Sequence, residues 1–190
     1  HSSAGDVKGL YMAQNHDEVF WDKLGAIKKR DGFKMIWEIE GPSARKKHLN
    51  KVQYALQYVD IFSINLQESR RLSGLEKEED ILDFLKALPA PMLLFRVGAR
   101  GLYTLFEGRA YFHPSVLDFG VVDPTGCGNT STGAAIYAYC EHGADPIMVG
   151  TIANVAAAQN ARQFGLIPDY ANVREESLAK VQEIYAAYQG

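Results

Sequence analysis

The chain has 190 residues, enough for one domain with a substantial core. Its 47% apolar and 23% charged residues are ordinary for a globular protein, and its formal net charge of −3 gives no electrostatic reason to expect nucleic acid or an anionic membrane as a partner. No apolar run approaches the ~20 residues that cross a bilayer, and no secretory leader is visible.

Two cysteines, Cys127 and Cys140, are too few for a disulfide framework, and no second Cys or His stands at zinc-ligand spacing. A reduced, cytoplasmic protein is expected. The start His1-Ser2-Ser3-Ala4-Gly5 lacks an initiator Met and reads as a tag remnant or cut end, leaving residues 6–190 as the folded unit.

In chain order, Val19, Phe20, Leu24 and Ile27 recur at helical spacing between Asp17 and Arg30, with Gly32 as the stop. Phe33–Ile39 reads as a strand. Ser43 is placed to cap a helix over Ala44–Tyr58, whose Leu49, Val52, Leu56 and Val59 share one face. Asp60–Ile64 suits a buried parallel strand. Helices are expected over Glu68–Leu72 and Glu78–Leu88, then a strand over Met92–Val97. Glu107-Gly108 between Leu102–Phe106 and Arg109–His113 is a hairpin signal. Phe119–Val122 reads as a last short strand, followed by helices from about Gly128 to Glu141, Pro146 to Phe164 and Glu175 to Tyr188. Strands alternating with helices, then a helical end, predict an α/β layered domain with a mainly parallel sheet. Neither a repeat nor a low-complexity tract interrupts the pattern.

The segment Asp123-Pro124-Thr125-Gly126-Cys127-Gly128-Asn129 sits where an expected strand gives way to a helix. Free backbone N–H groups and the helix dipole favour an anion at such a point, and glycines let the backbone approach it closely. The turn is neither a Walker A loop nor a Gly-x-Gly-x-x-Gly fingerprint. Taken alone, it also suits a plain helix start capped by Asn129 or Thr130.

These residues resemble the C-terminal signature of the PfkB carbohydrate-kinase family, also called ribokinase-like, which reads Asp-Thr-Thr-Gly-Ala-Gly-Asp. Three further stretches are similar to that family's motifs. Asn65-Leu66-Gln67-Glu68 with Leu72-Ser73-Gly74 resembles its Asn-x-x-Glu and Leu-Thr-Gly. Arg96-Val97-Gly98-Ala99-Arg100-Gly101 resembles its Thr-x-Gly-x-x-Gly, with Arg96 in place of Thr. Asn154-Val155-Ala156-Ala157-Ala158 resembles the Ala-rich helix beside the adenine pocket.

The resemblance implies a ribokinase-like three-layer α/β/α sandwich and transfer of the γ-phosphoryl group of ATP, with Mg2+, to a hydroxyl of a sugar or related small molecule. It implies an anion hole at Gly126, Cys127, Gly128 and Asn129. Nucleotide contacts would fall to Asn65, Arg96, Gly98, Ala99, Arg100, Gly101 and Asn154. Glu68 would hold Mg2+ through water, and Asp123 with Thr125 a monovalent cation such as K+. Outside the resemblance, Asp123 is equally a turn cap, Asn65 and Glu68 a helix-start cap with its first-turn acid, and Asn154 an interhelix polar residue.

Two departures stand out. Asn129 occupies the position of the family's general base, and an amide cannot take a proton at neutral pH. Nothing matches the family's N-terminal half, with its Gly-Gly sugar motif and β lid. The expectation is a nucleotide-side portion that forms a homo-oligomer or pairs with the missing half. The alternative is a non-catalytic nucleotide-binding or regulatory protein on the same scaffold, and a nucleotide-free interaction module ranks below both.

Other residues read more plainly. Glu38 and Glu40 end a parallel strand, where ligands of open α/β sheets gather, and suit solvated strand-exit acids or a replacement base. His48, His113 and His142 read as surface residues, Trp21 and Trp37 as core, and the alanines at 153, 156, 157, 158 and 161 as close helix packing.

Overall fold

A computed structural model describes residues 7–13, 16–165 and 170–189; the reading of the first five residues lies outside them. The elements run β1 (Gly9–Met12), α1 (Glu18–Asp31), β2 (Lys34–Glu38), α2 (Leu49–Leu56), β3 (Ile61–Asn65), α3 (Leu66–Ser73), α4 (Glu78–Lys86), β4 (Met92–Arg96), β5 (Gly101–Phe106), β6 (Arg109–Pro114), α5 (Cys127–His142), α6 (Pro146–Ala161) and α7 (Tyr170–Gln189).

The strands form one six-stranded sheet in sequential order, β1 to β4 parallel and β5 and β6 antiparallel. Strand side chains alternate between two faces. Met35, Trp37, Phe62, Ile64, Leu93 and Phe95 pack against Trp21, Val52, Leu56, Leu72 and Ile81 of α1 to α4. The intervening Ile36, Ile61, Met92 and Leu94 pack against Ala135, Ile136, Val149 and Ala153 of α5 and α6. Three layers result, as expected. Trp21 and Trp37 are fully buried, with ring centroids 5.0 Å apart.

Local chemistry sets several boundaries. Asp17 caps α1 through the Phe20 N–H, and Gly32 ends it in the left-handed region at φ 77°. The hairpin turns on Glu107 and Gly108, at φ 49° and 74°, the two positive values that a two-residue turn of this hand requires.

Five expectations are corrected. β1 pairs with β2 although four short residues gave no strand signal. The helix expected over Ala44–Tyr58 begins with a turn and a 3-10 segment, Lys46–His48, and Ser43 caps nothing: its own N–H donates to the Glu40 carbonyl. The helix expected to reach Phe164 ends at Ala161. Phe119–Val122 is no strand. Gly120 turns at φ 73°, Val121 and Val122 are exposed, and the N–H groups of Val122 and Asp123 both donate to the Ala161 carbonyl. The Gly-rich segment is therefore entered from a loop held on α6. Finally, His113 is buried, at 2% exposure, under Gly150 of α6 and the Tyr188 ring.

Among the described residues no helix is long and apolar enough to cross a membrane.

Candidate functional site

The four parallel strands end on one side of the sheet, where a doubly wound fold gathers ligands. Period-two alternation puts Tyr11, Glu38, Ser63 and Arg96 on the face covered by α5 and α6, at or near the ends of β1, β2, β3 and β4. Glu38, expected as a solvated acid, is mostly covered. Its Oε1 accepts from Arg96 Nη2 at 2.6 Å, and its Oε2 accepts from the Tyr11 hydroxyl. Burial and the Glu38 carboxylate push the Tyr11 hydroxyl above its ordinary range, so it stays a donor. Glu40 is exposed and takes no part.

α5 starts above this row. Its N-cap is Gly126 at φ 83°, and no side chain caps it. The Cys127 N–H donates to the Pro124 carbonyl, while helical geometry gives Gly128 and Asn129 N–H no acceptor within the helix. Below, Ser131 and Thr132 hydroxyls donate to the Gly128 carbonyl at 2.8 and 3.0 Å, and Thr132 meets Ser63 at 2.9 Å. The Thr132–Ser63 bond ties the start of α5 to β3.

A cavity of about 370 Å³ opens beside this turn, within the ~300–1,000 Å³ of ligand pockets. Of the residues the sequence singled out, Asn65, Arg96, Gly98, Ala99, Gly101, Cys127, Gly128 and Asn154 line it. Its lining is otherwise mostly apolar, with Leu102, Val116, Leu117 and Val121 from the strand and loop segments and Ala157, Ala158 and Ala161 from α6. Those alanines serve the cavity as well as helix packing.

The remaining sequence-predicted residues lie apart from the lining. Arg100 turns to α4, where Glu78 takes both guanidinium nitrogens and is held below its ordinary pKa by that bond. Glu68 and Asn65 form a reciprocal capping box at the start of α3, each accepting the other's N–H at 2.9 Å. Burial raises the Glu68 pKa. Asp123 accepts the Thr125 N–H, which lowers its pKa, and the Thr125 carbonyl accepts from Asn160 Nδ2. Asn129 is exposed on the first turn of α5. Asn154 is buried and donates to the Pro114 carbonyl, fixing the end of β6 beside the cavity.

Among the described residues no three His, Cys, Asp or Glu side chains converge to hold a metal. Magnesium binds through few carboxylates, keeping water and phosphate oxygens as its other ligands. Glu68, with one oxygen outside its capping box, fits that role.

Sequence reasoning missed Tyr11, Ser115 and Ser131, which carry no motif. Only the strand register could have revealed Tyr11, because it places the ring beside Glu38.

Residues 5–172 match the family described as pfkB family carbohydrate kinase. Over 158 residues the chain is 28% identical to a 2-dehydro-3-deoxygluconokinase from Thermoproteus tenax, a match covering 83% of this chain and 42% of that protein. Among solved structures it is similar to a probable sugar kinase protein from Rhizobium etli CFN 42, with TM-score 0.75 and 19% identity over 94% of this chain and 56% of that one. It is also similar to Arabidopsis thaliana ribokinase complexed with ribose and ATP, with TM-score 0.73 and 20% identity over 94% of this chain and 57% of that one. The expected ribokinase-like α/β fold is thus the observed one. The chain spans about half the length of these relatives, between 42% and 57%.

Proposed function

We propose that this chain, which belongs to the pfkB family of carbohydrate kinases, supplies the nucleotide side of a phosphoryl-transfer site: it binds ATP and presents the γ-phosphoryl group to a hydroxyl of a sugar or related small molecule. One observation carries this reading. The uncapped start of α5 and the Arg96 guanidinium lie against each other at Gly128, and both border one mostly apolar cavity. Such a cavity suits a ligand with a flat apolar body and an anionic tail.

The phosphates belong at the Gly128 and Asn129 N–H groups, and the base and ribose against the apolar lining of Leu117, Val121, Ala157, Ala158 and Ala161. Phosphoryl transfer needs mainly positioning and charge stabilisation, which backbone donors and a guanidinium supply. Magnesium, when bound, neutralises phosphate charge; Glu68 would hold it through water. Gly98, Ala99 and Gly101 shape the nucleotide wall.

The test is thermal denaturation of the chain with magnesium and ADP or ATP. A rise in midpoint that grows with nucleotide concentration is expected. No rise at millimolar nucleotide would overturn the reading.

Asn129 favours a second reading, a non-catalytic nucleotide-binding protein, because the amide cannot accept the acceptor's proton. Transfer from labelled ATP to a panel of sugars and nucleosides separates the two. Turnover supports the kinase; nucleotide binding without turnover supports the second reading.

A further inference from the structure

Arg96 is held in an unusual way. It and Glu38 lie on strands separated by β3, and they meet across the small Ser63. Their side chains are only 11% and 13% exposed, so the pair is largely out of water. An arginine in such a place normally gives a carboxylate two parallel bonds, from Nε and Nη2. Here it gives one. Tyr11 occupies Oε2 of Glu38, and Arg96 Nε is buried with no acceptor among the described residues.

That arrangement fixes the guanidinium. If Glu38 took both Nε and Nη2, the guanidinium would turn toward β2. With Oε2 held by Tyr11, the other end of the guanidinium points out instead. Nη1 rests against Gly128, where a β-carbon would stand only 2.2 Å from it, and Arg96 borders the cavity at the same place. The first turn of α5 therefore has a side-chain donor beside its backbone donors.

We propose that Tyr11 and Glu38 are positioning residues that hold Arg96 as a fixed donor to the phosphates of the bound nucleotide. The proposal rests on the nucleotide reading above and adds to it a three-strand relay. Tyr11 orients Glu38, Glu38 anchors Nη2, and Nη1 faces the phosphate end. No proton moves in this scheme; the relay acts through geometry.

Charge alone predicts the opposite effect for one substitution. Removing the Glu38 charge lessens repulsion toward phosphate, so Glu38→Gln would tighten nucleotide binding if positioning did not matter. If positioning matters, the same change loosens it. Tyr11→Phe leaves every charge in place and frees Oε2 to complete the two-bond pairing with Arg96.

The test is equilibrium binding of ADP and of adenosine to the whole chain, in chelator, for wild type, Tyr11→Phe and Glu38→Gln. Both variants should bind ADP about tenfold more weakly, ~1.4 kcal/mol, and adenosine within twofold of wild type. Adenosine binding reports the fold, and Tyr11→Phe stands if Glu38→Gln fails to fold. Unchanged or tighter ADP binding in the variants overturns the relay and leaves the nucleotide reading intact. An equal loss for both ligands makes the role merely structural and also overturns it. A wild type that binds neither ligand overturns the relay together with the nucleotide reading.

Discussion

Arg96 and Gly128, which both line the cavity, lie against each other: a β-carbon at 128 would stand 2.2 Å from Arg96 Nη1. The glycine is needed for that neighbour, since Gly128 is not among the residues with positive φ. In Gly128→Ala the guanidinium must retreat, and it is pinned by Glu38. The alanine itself suits a helix better than glycine by roughly 0.8–1 kcal/mol. Stability in urea unfolding should nevertheless fall, because displacing the guanidinium strains a largely buried ion pair by more than the alanine regains, and affinity for ADP should fall about tenfold or more. A large loss of stability with ADP affinity kept would contradict this account.

Gly98, between β4 and β5, and Gly101, the first residue of β5, should differ sharply. Gly98 is at φ 67°, and a β-carbon there would meet nothing within 4 Å, so Gly98→Ala carries only the left-handed penalty of ~1–2 kcal/mol. Gly101 is at φ 123°, and a β-carbon there would lie 2.0 Å from the His113 carbonyl oxygen. Backbone cannot yield as a side chain does, so Gly101→Ala should cost more than about 3 kcal/mol or prevent folding. Denaturant midpoints of the two variants measure the contrast.

His113 makes the fold acid-sensitive. Thr104 donates its hydroxyl proton to the Pro146 carbonyl, so it can only accept from His113 Nε2, at 3.0 Å. Nδ1 is then the unprotonated nitrogen, buried with no partner among the described residues. Burial lowers the pKa from 6.5 to about 4, with Asp145 opposing weakly. Above pH 6.5 both folded and unfolded states hold a neutral ring, and nothing is lost. As pH falls from 6.5 toward 4 the unfolded state takes the proton first, and up to roughly 3 kcal/mol of stability goes. His16 and His48 are also lowered and act in the same sense. The test is therefore the difference between wild type and His113→Gln: stability of the variant should fall less between pH 7 and pH 5.

The layered fold was legible because β2, β3 and β4 are short, mostly apolar segments and the helices of one layer carry apolar faces at their own period. The misreadings share one cause, contacts made by distant residues. Phe119–Val122 has strand composition, but its backbone bonds go to the Leu117 carbonyl of its own turn and the Ala161 carbonyl at the end of α6. β1 is a strand only because β2 lies beside it. His113 has a surface residue's composition and an interior position, since Gly150 leaves room for its ring: a β-carbon there would be 2.1 Å from Nε2. At the candidate site, the motifs located the Gly-rich turn, Asn65 and Arg96. They were silent about Tyr11, which joins them through a carboxylate 27 residues away. Arg100 sat within a motif, but Glu78 lies close enough to claim its guanidinium.

If the chain acts as the proposed kinase, Asn129 is the residue that limits its chemistry. It is the third residue of α5, exposed, on the turn whose N–H groups are uncapped. As an amide it can orient an acceptor hydroxyl but cannot take its proton. Asn129→Asp adds a carboxylate of the same shape at a helix start, where the dipole favours a negative charge by ~0.3–1 kcal/mol, so the variant should be as stable as wild type or slightly more. A positioned general base is worth ~10²–10⁴ in rate. Phosphoryl transfer from labelled ATP, measured with a panel of sugars and nucleosides, should therefore rise at least about a hundredfold in the variant while ADP affinity stays within a few-fold. No turnover in either protein would support the non-catalytic reading, and a measurable wild-type rate that does not change in the variant would mean that the proton leaves by another group. Glu38 is a poor candidate for it, because both of its oxygens already hold donors, Arg96 and Tyr11.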